Sequence, residues 1–173
     1  MNTFHSLSRL IRLALPLAVL ATAGCAHYRV GTTLPSHLRT ISVETFKNEC
    51  GEPYLDTEVA RAIRQEIQRE GQLKLLNPQQ AAILLSGALV SYTLEPMRFD
   101  PNRPRTVSEY HIIVKARLRA VEAKTGKVIV EQTVTGDTTV QTSGDLTNSR
   151  RIALPEAAKQ VAHEIVNAVV SAW

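Results

Sequence analysis

The sequence predicts an α/β (α+β) two-layer sandwich, in which a mixed sheet of four to five strands carries two helices on one face. Residues 110–121 alternate apolar and polar side chains, as in a strand buried on one side only. Two other segments repeat apolar residues at helical spacing. Read in order, the elements are β-α-β-β-β-β-α, which fits one small sheet with its helices packed against it.

The first strand and the first helix are predicted in the first half of the chain. Residues 40–46 alternate and form a strand, which residues 47–53 follow as a loop. Asp56 is placed as the N-cap of the helix, and Gly71 is placed to end it. The apolar stripe between them consists of Leu55, Val59, Ala62, Ile63 and Ile67.

The other strands follow the helix. Residues 73–76 form a short apolar run, and residues 83–94 read as a central strand covered on both faces. Residues 95–105 contain three prolines and read as a polar loop. Residues 110–135 then read as a hairpin that turns at Thr125-Gly126.

The last helix follows residues 136–149, which read as a mobile loop or ragged strand end. Pro155 suits the first turn of this helix. Its alanine-rich stripe predicts close packing on the sheet, and consists of Leu154, Ala157, Ala158, Val161, Ala162, Ile165, Ala168, Val169 and Ala172.

The amino terminus has the layout of a secretory signal. Arg9 and Arg12 precede the apolar residues 13–24, which as a helix reach only about 18 Å, short of a ~30 Å hydrocarbon core. Small residues directly before Cys25 resemble a bacterial lipobox, with Thr22 where leucine is usual. The expected division is therefore a lipoprotein signal peptide at 1–24, a lipidated tether at 25–38 and a single domain at 39–173. The alternative is ordinary cleavage after Ala23, which would release a soluble protein.

Composition limits the partners. The formal charge of +4 includes Arg9 and Arg12, so residues 25–173 carry about +2, which argues against nucleic acid as a partner. Several acyl chains on Cys25 would anchor the chain stably to a membrane. Because Ala26 follows, where Asp would indicate inner-membrane retention, the outer membrane is the expected location. With Cys25 acylated, Cys50 has no intramolecular disulfide partner.

Signatures of catalysis are missing from the sequence. The histidines are scattered without metal-ligand spacing, and there is no G-x-S-x-G elbow or phosphate loop. Glu44 and Glu49 flank a loop, as acids commonly do, and His163 is interpreted as a solvated side chain. The sequence therefore predicts no catalytic residue, no metal, no cofactor and no enzymatic activity.

Two groups of basic residues are candidate contacts for a phosphorylated ligand or a partner. Those of the predicted hairpin are Lys115, Arg117, Arg119, Lys124 and Lys127, and those of the proline-containing loop are Arg98, Arg103 and Arg105. The alternative for the strand cations is a water-facing sheet balanced by acids such as Glu131. The alternative for the loop cations is plain solubility.

Ordered short blocks resemble the lipopolysaccharide-assembly lipoprotein family, LptE. They are YRVG at residues 28–31, LP at 34–35, ISVETFKN at 41–48, the helix through Glu58, Ile63 and Ile67, LKLL at 73–76, LSGALVSY at 85–92, LEP at 94–96 and KTGKV at 124–128. The resemblance implies a lipid-anchored outer-membrane protein on the periplasmic side. It would sit as a plug in the lumen of the β-barrel LptD, assist barrel assembly and engage lipopolysaccharide.

Two alternatives to this function remain open. The block at 41–48 followed by an amphipathic helix also resembles lipoproteins of the LpoB and CsgG type, which activate a synthase or form a secretion pore. A periplasmic lipid carrier with its own cavity is the other alternative.

Overall fold

The computed structural model describes residues 34–142 and 146–173, and within them one six-stranded sheet packs against two helices. The strands are β1 (Thr40–Val43), β2 (Lys47–Asn48), β3 (Lys74–Leu75), β4 (Ile83–Asp100), β5 (Arg103–Glu122) and β6 (Val128–Gln141), and the helices are α1 (Leu55–Glu70) and α2 (Leu146–Val170).

The sheet has the order β3-β1-β4-β5-β6, with β2 pairing further along β4. It is mixed, because β1 is parallel to β3 and β4, whereas β4, β5 and β6 are antiparallel. The predicted fold class is therefore confirmed, with more strands than the four to five expected. The difference includes Lys47–Asn48, placed by the sequence in a loop, which pairs with Ala88 and Leu89. A two-residue strand is too short to show alternation.

The predicted loop at residues 95–105 is wrong, because β4 and β5 stay paired from Ile83↔Glu122 to Asp100↔Arg103. Pairing of β5 with β6 ends at Glu109↔Gln141, and one further backbone bond joins Thr142 N to Ser108 O at 2.9 Å. Residues 97–108 therefore form a two-stranded extension, which we call the hairpin arm. Both of its strands are edges, where proline is tolerated, and several register shifts accommodate it.

The core lies between one face of the sheet and the two helices. The alternation predicted for β5 is confirmed, since its even residues from Ile112 to Ala120 are fully buried while Lys115, Arg117 and Arg119 are exposed. The α2 stripe is buried from Leu154 to Val169, and Ala172 alone lies exposed beyond the helix end. We call the opposite, helix-free surface of β4, β5 and β6 the open sheet face.

Two glycines allow close approaches that shape this core. A Cβ at Gly136 in β6 would stand 2.3 Å from the backbone nitrogen of Val161 in α2, so the helix rests directly on the strand. A Cβ at Gly87 in β4 would stand 2.4 Å from the ring of Phe46, which is itself buried. Glycine in a strand interior is therefore required here by packing.

Helix α1 begins differently from the prediction, because Asp56 lies inside its first turn and is not the N-cap. The N-cap is Tyr54, in the left-handed region at φ 65° and without a side-chain capping bond. For a bulky residue this conformation costs about 1–3 kcal/mol. Asp56 and Glu58 lie in the first turn, where their negative charges interact favourably with the positive end of the helix dipole and stabilise the helix. Gly71 ends the helix as predicted, at φ 74° with its N–H donating to Ile67 O.

The segment at 136–149, predicted as a mobile loop or a ragged strand end, is largely regular structure. Strand β6 continues to Gln141, and α2 already begins at Leu146. Pro155 therefore lies inside the helix rather than in its first turn. The polar Thr and Ser residues of this segment hide its regularity, because in its strand part, residues 136–141, only Gly136 is buried.

Packing begins before the predicted domain boundary at residue 39. Residues Ser36–Leu38 form a 3-10 helix, and Leu34 and Leu38 are buried in the core. The signal segment at 1–24, Cys25 and the rest of the tether up to residue 33 lie outside the described residues.

A polar link joins the two helices. His163, interpreted from the sequence as a solvated side chain, places its Nδ1 2.8 Å from Oε1 of Glu66 in α1, and Arg69 donates to the same oxygen at 2.6 Å. The Glu66 side chain is only 8% exposed. Burial alone would raise the pKa of Glu66, but the hydrogen bonds from Arg69 and His163 outweigh it and hold the pKa below its ordinary value of 4.5.

We predict that Gly136→Ala destabilises the fold by about 1–3 kcal/mol, because the new methyl group meets the α2 backbone and forces helix and strand apart. Thermal and urea unfolding of both forms measure the difference. Thr135→Ala is the matched control, since Thr135 is exposed and its replacement should change stability by less than about 0.5 kcal/mol. Equal stability of Gly136→Ala and wild type would contradict the close contact.

We predict that Glu66→Gln lowers the unfolding free energy at neutral pH by about 1–3 kcal/mol, because a buried charge-assisted acceptor is lost. A lowered folded pKa contributes stability that is present above the unfolded value and disappears as the pH falls through the folded one. The advantage of wild type over Glu66→Gln should therefore shrink below pH 4.5, as melting curves across pH would measure.

Glu58→Gln controls for this second prediction, since Glu58 forms an i,i+3 pair with Arg61 on the same helix and nearer to solvent. It should have only a small effect at any pH. An advantage of Glu66 that does not change with pH would contradict the assigned link.

Candidate functional site

The eight candidate cations are distributed along the whole length of the β4–β5 hairpin. Strand β5 has 20 residues and therefore spans about 65 Å. Arg98, Arg103 and Arg105 lie in the hairpin arm, and Lys124 and Lys127 lie at the β5–β6 turn, at the opposite end. Lys115, Arg117 and Arg119 lie between them on the open sheet face. The candidates therefore form three separate groups rather than one site.

The hairpin arm combines apolar and cationic side chains in contact with solvent. Met97 is 59% exposed and Phe99 50% exposed, so the arm presents two large apolar side chains to solvent. Arg98, Arg103 and Arg105 are exposed beside them. Such a surface suits a ligand or partner that offers apolar groups and anions together.

Ion pairs order part of the arm. At its tip, Arg103 Nε lies 3.0 Å from Oδ2 of Asp100, whose Oδ1 accepts the backbone N–H of Asn102 at 2.8 Å. The Asn102 bond and then the Arg103 bond hold the pKa of Asp100 below its ordinary value. Arg98 lies 3.5 Å from Glu109, whereas Arg105 has no ion pair within the described residues. Arg105 is thus the arm cation with its whole guanidinium available.

Acids partner most cations of the open sheet face. Arg119 Nε lies 3.3 Å from Glu131, the balancing acid that the hairpin pattern suggested, and Arg117 lies 3.3 Å from Glu49. Lys115 has no ion pair in the described part of the chain. Exposed pairs of this kind contribute only about 0–1 kcal/mol each, so a ligand phosphate could displace the carboxylates at little cost.

A shallow cavity of about 320 Å³ lies on this face. Its polar lining contains acids and bases in similar number, including Glu44, Glu49, Glu131, Arg117 and Arg119. The two glutamates flanking the predicted loop therefore line the same cavity. Glu49 is held by Arg117, which makes it an acid in an ion pair rather than a member of a carboxylate pair.

The turn between β5 and β6 uses its own polar groups internally. Thr125 Oγ1 donates to Glu122 and accepts from the Lys127 backbone N–H at 3.2 Å. Lys124 and Lys127 have no ion pair among the described residues, so they remain solvated surface cations at the far end of the sheet.

Sequence reasoning missed two parts of this surface. Met97 and Phe99 are exposed because they lie in the hairpin arm. The arm was not predicted, because the prolines in residues 95–105 indicated a loop. The Glu49–Arg117 pair joins residues 68 positions apart, and no local pattern marks it. Cys25, the predicted lipidation site, lies outside the described residues.

Three further features concern metal binding, membrane-spanning helices and the free thiol of Cys50. In residues 34–142 and 146–173, no group of three or more His, Cys, Asp and Glu could hold a metal ion. Over the same residues, no helix combines the length and apolar character needed to cross a membrane. Cys50 is a half-buried free thiol whose Sγ lies 3.3 Å from Asn48 Oδ1.

Solved structures resemble this chain at the level of the fold. A hypothetical protein from Chlamydia trachomatis has 12% identity and a TM-score of 0.51, covering 75% of this chain and 96% of its own. A protein from Xanthomonas campestris has 11% identity and a TM-score of 0.52, with coverages of 80% and 90%. An uncharacterized lipoprotein B from Nitrosomonas europaea has 10% identity and a TM-score of 0.51, with coverages of 82% and 91%.

Sequence comparison gives the family. No curated protein matches the chain significantly. The family described as LptE, lipopolysaccharide-assembly, matches residues 38–169, which is most of the chain and includes every strand, α1 and all but the last residue of α2. The chain therefore belongs to the LptE lipopolysaccharide-assembly family.

Proposed function

We propose that this protein is a non-enzymatic outer-membrane lipoprotein that plugs the lumen of the LptD β-barrel and takes part in lipopolysaccharide transport to the outer leaflet. Membership of the LptE family supports a role in lipopolysaccharide assembly. The proposed organisation is a signal peptide at 1–24, an acylated Cys25 with its tether up to residue 38, and the folded domain beyond. The anchor would hold the domain on the periplasmic side of the membrane.

The observation that carries the proposal is the hairpin arm. It extends beyond β6, so both of its strand edges and its side chains are open to a surrounding partner. Met97 and Phe99 offer apolar contact area, and Arg105 offers an unpaired guanidinium. A barrel wall and a passing phosphorylated lipid together present the complementary groups.

Phosphate recognition by arginine explains which cations we assign to lipopolysaccharide. A guanidinium donates two parallel hydrogen bonds to phosphate oxygens, and these charge-assisted bonds are stronger than neutral ones. Arg98, Arg103 and Arg105 form the proposed contact in the arm, and Lys115, Arg117 and Arg119 form a second, separate proposed contact on the open sheet face. Lys124 and Lys127 lie about 60 Å from the arm tip and would belong to a different contact.

The packed interior of the protein supports a lipid-carrier function less well than a plug function. Carriage would require an internal cavity, but the space between sheet and helices is filled by fully buried side chains such as Ile63, Ile112 and Ile165. The synthase-activator and secretion-pore alternatives predict different partners, so identification of the partner separates them from the plug.

We predict that the full-length tagged protein, purified from detergent-solubilised outer membranes, brings with it a β-barrel protein in stoichiometric amount. Cys25→Ser should lose incorporation of labelled palmitate and lose the barrel from the membrane-derived complex, because the anchor is absent. Mass spectrometry of the purified material and palmitate labelling measure both effects.

A soluble synthase or a homo-oligomeric ring in place of the barrel would contradict the plug. Purification of the protein alone with extractable lipid would contradict it as well. Incorporation of palmitate into the Cys25→Ser variant would contradict lipid anchoring through Cys25.

We predict that Arg103→Glu with Arg105→Glu weakens lipopolysaccharide binding at least about tenfold, because two charge-assisted contacts are replaced by repulsion. Binding of purified protein to lipopolysaccharide at fixed ionic strength measures the change. Lys124→Glu with Lys127→Glu is the matched control, since it changes net charge equally at the other end of the hairpin.

The comparison of these two variants decides the assignment to the arm. Equal weakening in both would show a general effect of net charge. Weakening in the control alone would move the contact to the β5–β6 turn. Unchanged binding in both would return all four residues to solvated surface.

A further inference from the structure

A second cavity lies where the start of α1 meets the first turns of α2. It measures about 330 Å³, which is at the lower end of the range for small-ligand sites. Apolar atoms form most of its wall, with Pro53 and Tyr54 on one side and Leu154 of α2 on the other. No lining residue belongs to the hairpin arm or to the open sheet face, so this cavity is a separate feature.

Tyr54 is the unusual residue of this cavity. The residue is 77% exposed although it is aromatic, and its backbone is held at φ 65°, which glycine alone adopts without strain. The ring is therefore not held by burial in the core. Strain of this kind at an exposed residue is frequent at sites that contact a ligand.

The charges at the cavity are mainly cationic. Arg150 and Arg151 both line it, and Glu52 is the acid that lines it with them. Arg151 donates to Asn148 Oδ1 at 2.9 Å, whereas Arg150 has no ion pair or hydrogen bond within the described residues. Glu52 forms no salt bridge with either arginine in that part of the chain. The Arg150 guanidinium is thus available for an external anion.

We propose that this cavity binds an amphiphilic anion, an apolar chain or ring that carries a phosphate or carboxylate. The apolar group lies between Leu154 and the Tyr54 ring, and the anionic group accepts hydrogen bonds from Arg150 and Arg151. This assignment does not rest on the proposed transport function, because it uses different residues and a different ligand-binding readout.

The test uses the full-length protein in a neutral detergent and isothermal titration calorimetry with hexyl phosphate. Hexanol lacks the charge and inorganic phosphate lacks the apolar chain, so each should bind at least about tenfold more weakly than hexyl phosphate. Titration with hexanoate compares the affinity for a carboxylate with the affinity for a phosphate on the same apolar chain. Inorganic phosphate binding as tightly as hexyl phosphate would overturn the amphiphile assignment, as would hexanol binding equally well.

Two variants locate the site. Arg150→Gln should weaken hexyl phosphate binding about tenfold, because one charge-assisted bond is lost, while Lys74→Gln on exposed β3 should leave binding unchanged. Tyr54→Gly should also weaken binding, yet its melting temperature should equal or exceed that of wild type, because glycine adopts φ 65° freely.

The stability measurement separates a contact from a structural role. Loss of binding with a lowered melting temperature in Tyr54→Gly would overturn the assignment of the ring. Binding unchanged in Arg150→Gln, or weakened equally in Lys74→Gln, would overturn the assignment of the cavity.

Discussion

The antiparallel ladder between β4 and β5 is the constraint on which the rest of the structure depends. Strands β1 and β2 pair with the far edge of β4, and β6 pairs with the far edge of β5. The helices cover the face that these strands present. Where the neighbouring strands stop, the ladder continues alone as the hairpin arm. Because its hydrogen bonds are made within the pair, the arm keeps its form without a core of its own.

Much of this architecture could be predicted from sequence, because burial on one face leaves a periodic trace. The β5 alternation, the α2 stripe and Gly71 each follow from local physics, and each is found in place. The arm could not be predicted, because Pro96, Pro101 and Pro104 are ordinarily strand breakers. Pro101 lies in the turn between β4 and β5. Pro96 and Pro104 are tolerated because no neighbouring strand needs their missing N–H groups. The start of α2 was missed because its first turns carry few apolar residues.

The candidate site shows the same division between local and distant information. The predicted hairpin was enough to expect acids such as Glu131 beside the cations of β5, and the register places Glu131 opposite Arg119. The pairing of Glu49 with Arg117 depends on β2 lying along β4, a contact between distant segments. Sequence therefore finds the charges but not which of them are already satisfied. Only the fold shows that Arg105 and Lys115 lack an ion pair among the described residues while Arg117 and Arg119 have one.

The separation in sequence between β1 and its partner has a consequence for the order in which the chain folds. The β4–β5 turn joins Asp100 to Arg103, so this hairpin can close from neighbouring residues. Ile41 instead pairs with Ile83, and bringing them together closes a loop of about 40 residues at an entropic cost. Non-local pairings of this kind slow folding. The pairing of β1 with β4 is therefore expected to be a late step that follows formation of the β4–β5 hairpin.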